Sequence, residues 1–129
     1  NDLIGEVVVA MGVELQHTLE PVLAENVADH VELIAAVWPV VATVESDAVF
    51  ALFFEANGLA ASGREPYDSL VPSLVEMWIA WASDFIDAPA GVRRVEAETA
   101  IAVLDGLLLL RQLAGPEAAD RAAERLGVR

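Results

Sequence analysis

Residues 91–114, GVRRVEAETAIAVLDGLLLLRQLA, decide the fold. The run holds no proline and no polar–apolar alternation, and its apolar residues recur at spacings of three and four, so it reads as one long helix. At 100° per residue, Arg94, Glu98, Asp105 and Gln112 fall in one narrow sector. Leu104, Leu107, Leu108, Leu110 and Leu113 cover much of the remainder. A helix this apolar must be buried on more than one side. One side is the domain's own core, and the other is expected to meet a second copy of the chain. Gly115-Pro116 closes the run, and a short last helix follows. Its Ala118, Ala119, Ala122, Ala123 and Leu126 form a small-residue face suited to close helix approach.

Upstream the same periodicity gives four further helices. The expected set is about 2–24, 29–44, 46–61, 66–87, 91–114 and 117–126, an all-α, antiparallel six-helix bundle forming a single domain. Pro21 marks a kink in the first, Asp29 and Ser46 are N-cap types, and Pro66 takes a first-turn position in the fourth. On the first helix Ile4, Val8, Met11, Leu15 and Leu19 make a stripe, with Glu6, Glu14, His17 and Glu20 opposite. On the third, Phe50, Phe53 and Phe54 lie opposite Asp47 and Glu55, with Asn57 among the apolar residues. On the fourth, Leu70, Leu74, Trp78, Trp81 and Phe85 share one side.

The chain has 129 residues with 21 Asp+Glu against seven Arg and no Lys, a net charge of −14. Residues 1–63 carry no Lys or Arg at all. Such a surface repels phosphate, so these residues are not expected to grip nucleic acid. Without cysteine there is no disulfide, thiolate nucleophile or Cys zinc site. The longest uncharged stretch, residues 33–44, is broken by Pro39 and falls short of the ~20 apolar residues of a membrane span. No basic, apolar, small-residue leader pattern is present, and the expected location is cytoplasmic. Mean hydropathy is +0.49, high for a small domain that buries only about two thirds of its unfolded surface. The excess points to a partner over the exposed apolar area.

Catalytic signatures are few. There is no P-loop, Schiff-base lysine, G-x-S-x-G or G-x-G-x-x-G. Glu14-Leu15-Gln16-His17 has the Glu-x-x-His spacing of di-iron bundles, but it projects to a polar face and lacks a second copy. His30 is expected to cap or to sit at the surface, and Glu55 to be solvated. The informative residues are Asn57, Trp78 and Trp81. An amide on an apolar face needs a partner, either a neighbouring backbone group or a ligand in an aromatic-lined pocket. Met11, Phe50, Phe54, Asn57, Trp78 and Trp81 are the candidate ligand-binding set.

Residues 97–110, AETAIAVLDGLLLL, followed by 115–119, GPEAA, resemble the end of TetR-family transcriptional regulators. There an apolar helix with a Leu-Asp-Gly-Leu step precedes a short loop and an Ala-rich last helix. Residues 48–56, AVFALFFEA, and the Trp-bearing stretch 73–85 resemble that family's middle. The family's basic helix-turn-helix reader has no counterpart here, so the resemblance implies the C-terminal regulatory part of a repressor. It implies a homodimer, a small-molecule effector and DNA contact only through an N-terminal reader domain; from the residues themselves no cofactor, metal or membrane is expected. Gly106 matches the family's interface glycine, and Leu104, Gly106, Leu107, Leu110, Ala118, Ala122 and Leu126 are the expected dimer interface. Two rival readings are a stand-alone helical enzyme using Asp84, Glu55 or Glu14 with His17, and a purely structural dimerisation module.

Overall fold

The computed structural model describes residues 3–128, the Ile4 side chain excepted. Among these residues the fold is all-helical, with six α-helices: α1 Leu3–Leu19, α2 His30–Val41, α3 Val44–Ala61, α4 Tyr67–Ser83, α5 Ala90–Ala114 and α6 Pro116–Arg125. The expected helix start at Asp2 and the place of Ile4 on its stripe lie outside the described residues. α5 is the organising element, about 38 Å long and packed against α2, α3, α4 and α6. Ala97 and Ala100 on its inner face are wholly buried, which lets neighbouring helices come close. Leu104, Leu107 and Leu108 continue that face into the main core. A smaller cluster of Val8, Ala56, Tyr67, Val71 and Leu74 fills the space between α1, α3 and α4.

Four helix ends differ from the sequence expectation, each for a local reason. The first helix stops at Leu19, and Glu20–Leu23 continue as a 3-10 turn with Pro21 in its first positions. That turn buries Leu19 and Leu23 almost completely, each stabilising the fold by about 1.5–3 kcal/mol. α2 stops at Val41, three residues early, because Ala42 and Thr43 form the corner into α3. α3 therefore begins earlier than Ser46. Thr43 is extended, and its side chain accepts from the Ser46 backbone N–H. α4 ends at Ser83 instead of Asp87. Tertiary pairing replaces its last turn: the Val27 N–H donates to the Phe85 carbonyl at 2.8 Å, and the Asp87 N–H donates to the Val27 carbonyl at 2.8 Å. This short bridge seals the buried Ile86 under the loop between α1 and α2.

The start of α2 follows the expectation and adds to it. Asp29 caps by accepting from the Glu32 N–H. Glu96 of α5 accepts from both the backbone N–H and Nδ1 of His30 at 2.7 Å. These hydrogen bonds hold the Glu96 carboxyl below the usual range, the backbone donor first.

The polar sector of α5 faces its neighbours. Arg94 donates to Glu76 of α4 at 2.8 Å and to Glu98 at 3.0 Å. At the other end, Gln112 donates to the Asp47 carbonyl of α3 at 2.9 Å. Beside the exposed Glu98, the outward side of α5 carries Val92, Val95, Leu109 and Leu113, all exposed, and Gly106 stands in open space among them.

Candidate functional site

A cavity of about 110 Å³ lies between α1, α3, α4 and α5, with two valines of α2 at its base. Met11, Leu15, Phe50, Phe53, Trp78, Ile101 and Leu108 supply much of its wall. An outer compartment of about 410 Å³ adjoins it and shares Met11, Leu15, Val49 and Phe50, while Glu14, Thr18 and Ser46 add polar edges. The two spaces form an inner chamber and a vestibule divided by four shared side chains.

Two glycines of α1 lie along this arrangement, and the first of them permits it. A Cβ on Gly5 would stand 2.8 Å from the Leu70 side chain, too close without a shift. Gly12 borders the chamber, and the Trp78 indole Nε1 lies 3.5 Å from where its Cβ would be. The spacing of seven puts both glycines on one face of α1, toward α4. Beyond the chamber, Trp78 meets Trp81 edge-on at 5.3 Å, and Trp81 meets Phe85 at 4.9 Å. Such contacts are each worth about 0.5–1.5 kcal/mol beyond area burial and fix the Trp78 ring.

Three of the six sequence candidates meet here. Met11, Phe50 and Trp78 line the chamber; Phe54, Asn57 and Trp81 do not. Phe53 takes the place expected of Phe54, which leans on it with ring centroids 5.8 Å apart. Trp81 braces Trp78 from behind. Asn57 is half-buried on α3, and its Oδ1 has no hydrogen-bond partner, but it lies away from the chamber wall.

The charged group in the wall is Asp105, which the helical pattern places in one narrow sector with Arg94, Glu98 and Gln112. Ile101, Leu104, Asp105 and Leu108 follow an i, i+3, i+4, i+7 spacing, and all four line the chamber. That acid inside an aliphatic stripe was the available signal. Among the described residues the Asp105 side chain makes no hydrogen bond or ion pair. Burial alone raises its carboxyl pKa to about 6.

No family model, curated protein or solved structure matches this chain.

The remaining candidates are placed as follows. Leu104 and Leu107 are buried in this chain's own core, and Leu104 also lines the chamber. Gly106 and Leu126 are exposed, while Leu110, Ala118 and Ala122 are half-buried. On α6, Ala119 and Ala123 turn inward. Glu14, His17, Glu55 and Asp84 are exposed. Among the described residues no group of three or more His, Asp or Glu could hold a metal. No single described helix is long and apolar enough to cross a membrane; α2 and α3 meet the composition test only as a pair bent by 107°.

Proposed function

We propose that the chain is the effector-binding and dimerisation region of a TetR-like transcriptional repressor, an antiparallel six-helix bundle acting as a cytoplasmic homodimer. The chamber is the observation that carries this reading. It is apolar, bounded by helices from both ends of the chain, and carries one charged group in its wall, the usual recipe for a small-molecule site. The outward apolar side of α5 supports the homodimer, because Val92, Val95, Leu109 and Leu113 recur over the helix's whole length. An occupant that widens the chamber displaces α1 from α5. A reader domain joined ahead of α1 would then change its spacing from its mate, and the intact protein would release DNA.

The enzyme reading draws less support. Its named carboxylates at Glu55 and Asp84 stand on open surface. The structural-module reading predicts a chamber that takes no ligand. Titration with isobutanol and benzyl alcohol, followed by the Trp78 indole N–H resonance, separates these. Saturable shifts support an effector site; their absence with both compounds and with isobutylamine and benzylamine overturns it. The parent gene's upstream reading frame tests the repressor assignment. It should encode about fifty residues with a basic helix-turn-helix.

A further inference from the structure

The chamber is lined by hydrocarbon on nearly every side, yet Asp105 places a carboxyl group in its wall. A carboxylate accepts hydrogen bonds and needs donors or a counter-charge when water is withdrawn. Among the described residues no side chain pairs with Asp105, and no cation lines the chamber. The chain has no lysine, and the arginines flanking Asp105 on α5 are committed elsewhere: Arg94 to Glu76 and Glu98, and Arg111 to Asp47. Arg93 is twelve residues away along the helix, about 18 Å. The parts of α1, α2, α3 and α4 that line the chamber bring no other titratable group to Asp105. Glu14, in the vestibule, adds negative charge at the mouth. A cation able to pair with Asp105 is therefore absent from the chamber wall, and a ligand can supply it.

We propose that the chamber takes a small apolar amine, its ammonium group paired with the Asp105 carboxylate and its hydrocarbon body packed against Met11, Phe50 and Trp78. The inference rests on the effector-site reading above and names the ligand class. An ammonium donates three hydrogen bonds and restores neutrality in the wall. An anion would meet Asp105, Glu14 and a chain of net charge −14. Size sets a limit as well. An apolar cavity of roughly 150 Å³ holds benzene, so the chamber suits a short branched alkyl group, or one ring once it widens toward the vestibule. The ion pair forms only while Asp105 is ionised. Its carboxyl titrates near pH 6, so amine affinity declines as pH falls through that value.

The test uses two matched pairs, isobutylamine with isobutanol and benzylamine with benzyl alcohol, titrated into the whole chain at pH 7.5 and pH 5. Benzoate serves as the anionic control. At pH 7.5 each amine should bind at least tenfold more tightly than its alcohol, and benzoate should not bind. Amine affinity should fall about tenfold at pH 5 while alcohol affinity holds. In Asp105→Asn each amine should bind no more tightly than its matched alcohol. Equal binding of amine and alcohol, or a preference that survives Asp105→Asn, overturns the amine inference and leaves the effector site standing. If none of the four compounds binds, the effector-site reading falls and the inference falls with it.

Discussion

Arg111 Nε donates to Asp47 Oδ1 at 2.7 Å, tying the last turn of α5 to the first turn of α3. The pair is lopsided: the Arg111 side chain is 8% exposed and that of Asp47 41%. The Asp47 carboxylate beside it is the leading reason that the Arg111 guanidinium is held above its ordinary range. Removing the acid strands a buried cation, whereas removing the cation leaves an acid that water can reach. Asp47→Ala should therefore cost about 2–3 kcal/mol, and Arg111→Met, which keeps the packed stem, about 1–2 kcal/mol. Urea unfolding of both variants gives the order, and the reverse order would show that packing of the arginine stem outweighs its charge.

Assembly follows from the outer side of α5. Leu113 is 78% exposed and Val95 56%, and a Cβ built on Gly106 meets nothing within 4 Å. Pairing this side and α6 with a symmetry mate should bury upward of about 2,000 Å² in total, as obligate dimers do. Light scattering at micromolar concentration should give twice the chain mass. Gly106→Leu or Ala122→Glu should lower it toward the monomer. A strictly monomeric wild type would remove the dimer.

DNA should not bind to this chain by itself. Seven arginines stand against 21 acids, and those at Arg94 and Arg111 are already paired. A gel shift at low salt should show no retardation. Salt-sensitive binding would mean that the basic reader has been assigned to the wrong part of the protein.

The helices were legible because periodicity and caps are local signals, and Asp29 is the case in point: it caps α2 where the sequence places it. Boundaries failed where a distant segment intervened. Nothing near Ser83 reveals that Val27 will take up the Phe85 carbonyl and cut α4 short. The site was half legible for the same reason. Met11, Phe50 and Trp78 follow from helical faces, whereas choosing Phe53 over Phe54 needs the roll of α3 against α4, which the sequence pattern leaves open. Helical angle alone groups Asp105 with Arg94 and Glu98 and does not show which neighbour that sector meets. The α5 polar sector runs along α3 and α4, and its middle residue opens on the chamber.

Gly12 should trade stability against space. Helix-interior glycine costs about 1 kcal/mol relative to alanine, and the position of a Cβ here makes only ordinary contact with Trp78 at 3.5 Å. Gly12→Ala should therefore stabilise the chain by about 0.5–1 kcal/mol, read as a higher denaturant midpoint. It also narrows the chamber beside the indole, so benzyl alcohol should lose affinity. A variant that gained stability and kept full affinity would place the ligand away from Trp78.

Asp105 should cost the fold stability at neutral pH. Its carboxyl titrates at about 6 in the folded chain, against about 3.9 when unfolded. Between those values the folded state holds the extra proton, so its contribution to stability falls as pH rises from about 4 to 6 and stays low above. The full difference corresponds to about 3 kcal/mol, and partial exposure reduces it to about 1–3 kcal/mol. Asp105→Asn removes the ionisation while keeping the shape. The variant should be more stable than the wild type by that amount at pH 7.5 and nearly equal to it at pH 4. Every other acid titrates in both proteins, so the difference between two urea curves at each pH isolates this residue. Equal stability at both pH values would mean that water reaches the carboxylate freely and that the chamber wall is not dry. The expected result would show a carboxylate kept at a cost to the fold, which is what a ligand-pairing role requires.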